Sequence, residues 1–245
     1  MTDSARPETA RPSERRAAAR TSVVWDAVRP HVAAGADVLD IGGGTGGFAV
    51  RVAELGARVT VVDPSPDALA SLDRRARELT VEVTARQGDL SSLLEVTGPA
   101  SADLVLCHGV LEVVDDPAAA LDTLRRVLRP GGVLSLLVAQ RHAAVVARAM
   151  AGHFTQALTL LDAGPGERDG RAGHRFTADE ATSLLSGAGF AVESVHGVRV
   201  FADLVPGSLL DLEPGATAAL VELERAVSAR PEYLPLAAQL HLLAR

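Results

Sequence analysis

The chain has 245 residues, 47% of them hydrophobic and 22% charged, with a formal net charge of -7. That length and apolar share suffice for one ordinary α/β core, while the acidic balance excludes broad electrostatic adhesion to nucleic acid or to an anionic membrane. All 24 basic residues are arginine, and the one cysteine, Cys107, excludes an intramolecular disulfide and fits a reducing compartment.

Residues 1–18 carry Arg, Pro, Ser, Thr and Glu with scarcely any apolar pattern, so a flexible segment is expected there. Arg15-Arg16 resembles a twin-arginine export pair, but Arg20 and Asp26 interrupt the apolar region such a signal needs. No apolar run approaches the ~18 residues of a membrane span, and a cytoplasmic protein without a membrane partner is expected. Residues 19–245 read as a single domain, with a cofactor half over about 19–139 and an acceptor half over about 140–245.

RTSVVWDAVRPHV (20–32) has the spacing of a helix leading into the fold, with Val24, Trp25 and Val28 on one side. ADVLDI (36–41) is a short apolar strand, and GFAVRVAELG (47–56) a helix stopped by Gly56. ARVTVVD (57–63) is a β-branched strand, and SPDALASLDRRAREL (65–79) a helix with Ser65 as N-cap and Pro66 in its first turn. Strands follow at VEVTARQ (81–87) and ADLVLC (102–107), then a helix at PAAALDTLRRVLR (117–129) and a strand after the RPGG turn (129–132). In the second half a helix is expected from about Gln140 to Ala151, then a polar glycine-rich loop, DAGPGERDGRAG (162–173). A capped helix (177–190), a strand AVESVHGV (191–198), a helix (215–230) and a final strand within PLAAQLHLLAR (235–245) complete the chain. Such alternation predicts a doubly wound, mostly parallel sheet with helices on both faces, and ligand sites at the carboxyl ends of its strands.

VLDIGGGTGGFAV (38–50) puts a glycine loop between a strand and a helix, which brings backbone close to a ligand and aims the helix N-terminus at it. Gly42, Gly44 and Gly47 satisfy G-x-G-x-x-G, and Asp63 ends the next strand about twenty residues later, where an acid holds a ribose. Alone, that pattern also describes a NAD site. Asp40 argues for a different ligand: a carboxylate just before the loop opposes a pyrophosphate, whereas the sulfonium and ammonium of S-adenosylmethionine tolerate it. A structural hydrogen bond from Asp40 to the loop amides is the plainer alternative.

These segments resemble the class I S-adenosylmethionine-dependent methyltransferases. LDIGGGTG is similar to their first motif, VVDPS to the second, QGDL (87–90) to the third, LVLCHGVLEVVDDP (104–117) to the fourth strand with its loop, and LRRVLRPGGVLSL (124–136) to their next helix, turn and strand. The resemblance implies a Rossmann-like, seven-stranded sheet with an antiparallel C-terminal strand, and S-adenosyl-L-methionine as cofactor with S-adenosyl-L-homocysteine as product. It implies that Gly42, Gly44 and Gly46 line the methionine part of the cofactor and that Asp63 holds both ribose hydroxyls. By the same mapping Asp89 meets the adenine amino group, Leu90 lies against the ring, and His108 sits beside the cofactor. Turn capping is the alternative for Asp89, and a neutral packed histidine the alternative for His108.

Further stretches, RTSVVW, AMAGHF (149–154), GVRVFADL (197–204) and LVELE (220–224), are similar to the bacterial tRNA 5-carboxymethoxyuridine methyltransferases, which esterify the carboxylate of a modified wobble uridine. That likeness maps a cofactor-carboxylate arginine onto Arg20, five residues before Trp25. The chain departs from an RNA binder in having no lysine and a single tyrosine, Tyr233, because such proteins keep basic charge and aromatic stacking platforms. The acceptor is therefore expected to be a tRNA anticodon loop or a small carboxylic acid.

A carboxylate acceptor is ionised at neutral pH and needs no general base, only alignment and exclusion of water. Arg199 in GVRVF is the candidate to fix it by a bidentate pair; a surface strand residue is the alternative. Arg168, Arg171 and Arg175 read as a solvated loop, Cys107 as a buried inert thiol, and Asp115 and Asp116 as helix-capping charge. The histidines show no metal-ligand spacing, so no metal is expected. Two rival functions remain open: a small-molecule methyltransferase of metabolism, and a non-catalytic S-adenosylmethionine-binding partner protein. A NAD oxidoreductase lacks support, since no Tyr-Lys pair exists without lysine. Oligomeric state leaves no mark on the sequence.

Overall fold

The computed structural model describes residues 21–164, 166–212 and 215–245; residues 1–18 and Arg20 lie outside the described residues. Helix α1 (residues 21–28) is followed by β1 (Asp37–Ile41), α2 (Ala49–Ala53), β2 (Arg58–Asp63), α3 (Pro66–Glu78), β3 (Val83–Gln87), α4 (Leu93–Thr97) and β4 (Ala102–His108). Then come α5 (Pro117–Val127), β5 (Leu128–Ala139), α6 (Arg141–Met150), α7 (Phe154–Leu161), α8 (Ala178–Gly187), β6 (Val192–Val198), α9 (Gly207–Leu212), α10 (Ala216–Ser228) and β7 (Gln239–Ala244).

The strands form one seven-stranded sheet in the order β3-β2-β1-β4-β5-β7-β6. β1 to β5 run parallel to one another, and β7 inserts antiparallel to both β5 and β6, as expected. The order reverses between β2-β1 and β1-β4, which opens a crevice at the carboxyl ends of those strands. One apolar layer packs Val24 and Val28 of α1, Val50 and Val52 of α2 and Leu72 of α3 against Val59, Val61 and Leu104. The other packs Leu121 and Leu124 of α5 and Leu185 of α8 against Ile41, Val105 and Leu134. Among the described residues no helix is long and apolar enough to cross a membrane.

Local chemistry sets the boundaries. Ser65 accepts from Ala68 N at 3.2 Å to open α3, and Asp116 accepts from Ala118 N and Ala119 N at 3.0 Å to open α5. Thr177 and Glu180 form a reciprocal capping box at α8. Three short helices, α4, α7 and α9, arise where no regular element was expected. In α7 the apolar Phe154, Leu158 and Leu161 face outward while Ala157 and Leu160 are buried, so the buried stripe is narrow and leaves little pattern to read.

Candidate cofactor and acceptor sites

The glycine loop follows β1, where Gly42 N donates to Val62 O at 2.8 Å. Gly42, Gly44 and Gly46 have φ of +68°, +56° and +74°, a left-handed conformation costly for any residue with a Cβ. Contact forbids a side chain as well. A Cβ on Gly42 would lie 2.4 Å from Val110 Cγ2, and one on Gly46 2.1 Å from Leu72 Cδ1. Val110 after β4 and Leu72 of α3 thus hold the loop against the crevice. At the end of β2, Asp63 is buried; its Oδ2 accepts from Gly44 N and its Oδ1 from Ser65 N, both at 2.9 Å. The glycine loop and the acid ending β2 are thus brought into contact.

Asp40 lies beneath this loop rather than at its mouth. It is 3% exposed, a Cβ on Gly43 would be 2.6 Å from its Oδ2, and that oxygen has no hydrogen-bond partner. Burial, reinforced by the charge of Asp63, raises its pKa from 3.8 to about 7. The expected reason for excluding a pyrophosphate therefore takes a different form: without a cation nearby, Asp40 is not a fixed negative charge. A buried carboxyl with an unpartnered Oδ2 under a loop of backbone amides fits a ligand bringing positive charge, and an anionic one would push its pKa higher still.

Beside the loop a cavity of about 620 Å³ is lined by Ile41, Asp63, Asp89, Leu90, Val110 and Thr123, among others. Asp89 and Leu90 thus share a cavity with Asp63. Asp89 also caps its own turn: Oδ1 accepts from Ser91 N and Ser92 N at 3.0 Å, and bonds from the Ser91 hydroxyl and the Ser92 amide hold its pKa below the ordinary range. Capping through Oδ1 leaves Oδ2 for a ligand. His108, the last residue of β4, bonds through Nε2 to Ser135 Oγ at 2.8 Å and packs edge-on against Phe48, just past the glycine loop, with ring centroids 5.2 Å apart.

Past the carboxyl ends of β5 and β6 a cavity of about 540 Å³ is lined by Arg148, His153, Arg175, Arg199, Asp203 and Gln239, among others. Arg199 is there, but not free: it donates to Asp203 and, at 3.2 Å, to Gln239 Oε1, while its buried Nε has no partner. Its φ of +61° is rare for a non-glycine residue. Glu224, fully buried in α10, holds the adjoining turn, accepting from Val200 N at 2.9 Å and from Phe201 N and Ala202 N at 2.8 Å. The loop after α7 is not simply solvated either. Arg148 and Arg175 share Asp169 Oδ2, and Arg168 bonds to Asp115 at 2.8 Å; the Arg171 side chain lies outside the described residues.

Sequence reasoning passed over Glu224, Asp169, Ser135 and His241. Only Glu224 left a usable signal, a second acid on the otherwise apolar face of LVELE.

Residues 39–136 match a family model described as a methyltransferase domain. Over 216 residues the chain is 33% identical to the tRNA 5-carboxymethoxyuridine methyltransferase of Escherichia coli (strain K12), a match covering 85% of this chain and 79% of that one. Among solved structures, an S-adenosylmethionine dependent methyltransferase from Mesorhizobium loti is similar with a TM-score of 0.61 at 24% identity, covering 91% of this chain and 97% of that one. The [4+2]-cyclase SpnF is similar with a TM-score of 0.64 at 22% identity, covering 94% and 81% of the two chains. Those two likenesses speak for the fold alone.

Proposed function

This chain belongs to the class I S-adenosylmethionine-dependent methyltransferases, and from that premise we propose that it esterifies a carboxylate, with 5-carboxymethoxyuridine in tRNA as the acceptor. The observation that carries the reading is Arg199, set in the acceptor-side cavity together with Arg148, Arg175 and His153, in a chain whose long relative acts on a tRNA base named for its carboxyl group. A tRNA acceptor also assigns the reaction to the cytoplasm.

The cofactor, when bound, supplies an electrophilic methyl group on a sulfonium. Asp63 takes the ribose hydroxyls, Asp89 the adenine amino group with Leu90 against the ring, and Gly42, Gly44 and Gly46 give backbone room along the methionine part. Arg20 takes the cofactor carboxylate by the family mapping. Asp40 would be held ionised by positive charge that the cofactor brings. Arg199 would hold the acceptor carboxylate by exchanging its present bonds to Asp203 and Gln239 for bonds to the acceptor. Methylation of an already ionised carboxylate would need no proton transfer, which agrees with a half-buried His108 held neutral at pH 7 by desolvation that pulls its pKa down to about 4.

A small carboxylic acid is the second reading, favoured by the lack of lysine and by Tyr233, the lone tyrosine, being packed edge-on against Phe201 rather than offered as a stacking platform. The test is to incubate the purified protein and labelled cofactor with tRNA carrying 5-carboxymethoxyuridine, with the same tRNA lacking the modification, and with a panel of small acids. A methyl ester on the modified tRNA alone, cleaved by mild base, is the expected result; a base-stable product overturns the carboxylate assignment.

A further inference from the structure

A buried polar row crosses the sheet from the end of β4 to its edge. His108 Nε2 and Ser135 Oγ are 2.8 Å apart, Ser135 Oγ and His241 Nε2 2.8 Å apart, and His196 stacks on His241 with centroids separated by 5.6 Å. Ser135 and His241 are fully buried. None of Ser135, His241 and His196 has a part in the methyl-transfer chemistry proposed for Arg199 and the cofactor residues.

A serine hydroxyl has a single proton. It therefore donates to one imidazole nitrogen and accepts from the other, and the direction is decided at the far end of the row. Nδ1 of His241 is buried with no partner. Sealed N–H groups without an acceptor are rarer in native proteins than sealed acceptors without a donor, so this Nδ1 is the bare nitrogen and Nε2 of His241 carries the proton. Ser135 then accepts from His241 and donates to His108 Nε2. That leaves the proton of His108 on Nδ1. His108 is half-buried at the end of β4 with its ring against Phe48, just past the glycine loop, which puts this donor at the carboxyl end of the sheet where the loop lies.

We propose that Ser135 and His241 lock His108 as its Nδ1–H tautomer, making it a neutral hydrogen-bond donor to a carboxylate oxygen in the methyl-transfer site. The inference rests on the carboxylate-methylating function proposed for the chain. Two carboxylates share that chemistry, the methionyl carboxylate of the cofactor and the carboxylate of the acceptor. The lock has a second effect. A bare imidazole nitrogen beside a reactive methyl group is itself a nucleophile, and here one nitrogen is engaged by Ser135 while the other is protonated. Burial keeps both rings neutral, helped at His241 by mutual repulsion with His108, His196 and His31.

Long-range proton–nitrogen correlation spectra of the labelled protein at neutral pH read each tautomer directly and need no ligand. Nδ1–H at His108 with Nε2–H at His241 is expected, and Ser135→Ala should convert His108 to a tautomer mixture; Nε2–H at His108 in the parent overturns the lock. For function, His108→Asn places an amide N–H where Nδ1–H was, and His108→Gln places it at the Nε2 position. Loss at Gln should exceed loss at Asn by about tenfold, the effect of a hydrogen bond to a charged group. That difference falls in S-adenosylhomocysteine affinity if the cofactor carboxylate is the partner, and in the KM for acceptor if the acceptor carboxylate is. Equal losses in both readouts overturn the donor role. A locked tautomer in a protein that methylates no carboxylate would refute the functional reading while leaving the lock standing.

Discussion

Arg199 donates to Asp203 four residues further along the chain, so the guanidinium proposed for an acceptor carboxylate already holds a carboxylate of its own. An acceptor must displace that internal partner. Arg199→Ala should lower kcat/KM by ~10²-fold or more with cofactor affinity unchanged, and Arg199→Lys should recover only part of it, because an ammonium cannot reproduce the planar fork. Asp203→Asn removes the competing charge and should lower the acceptor KM. Steady-state kinetics beside cofactor calorimetry checks all three; an unchanged kcat/KM in Arg199→Ala sinks the assignment.

Asp63 accepts two loop amides at the end of β2. Asp63→Ala should weaken cofactor binding by about 2 to 4 kcal/mol, since ribose hydroxyls lose a charged acceptor in a partly buried site. Arg20→Ala should weaken it too. Titration calorimetry with S-adenosylhomocysteine gives both numbers, and NAD should produce no binding heat.

Asp40 predicts a pH dependence with a definite sign. Its folded pKa of about 7 stands above the ordinary 3.8, so the folded protein binds more protons than the unfolded chain between those values, and its stability falls as pH rises from about 4 to about 7. Asp40→Asn should flatten that slope in denaturant titrations. A cationic ligand above the carboxyl pulls the pKa down, so cofactor binding near pH 6.5 should release a proton. Calorimetry in buffers of differing ionisation enthalpy would show it, and zero proton release would place the positive charge elsewhere.

Glu224 accepts from three successive backbone amides. Glu224→Gln turns one carboxylate oxygen into a donor facing donors and should cost about 2 to 4 kcal/mol of stability. Because that turn carries Arg199, acceptor kinetics should worsen while cofactor affinity holds. Chemical denaturation and paired binding measurements test the split.

The cofactor half was legible because each signal there has a local cause. Glycines at positive φ, an acid ending β2, Ser65 and Asp116 as helix caps, and β-branched runs all leave their mark within a few residues. The position of Asp40 beneath the loop was not legible, since its depth depends on how Gly43 and Val61 pack over it. The acceptor half is written in long-range pairings: Arg199 with Gln239, Glu224 with Val200, Ser135 with His241. No periodicity announces a partner that distant. Arg199 was found through motif likeness, and its engagement with Asp203 depends on a left-handed turn that an arginine does not advertise.

The insertion of β7 between β5 and β6 has a consequence for biosynthesis. Among the described residues β6 hydrogen-bonds to no strand but β7, and α9 and α10 are both translated before β7 exists. Until Gln239–Ala244 leaves the ribosome, β5 presents an open edge and β6 lacks its partner strand, whereas β1 to β5 with their helices are already made. Emergence of β7 is therefore the event that seats Gln239 against Arg199 and His241 against Ser135.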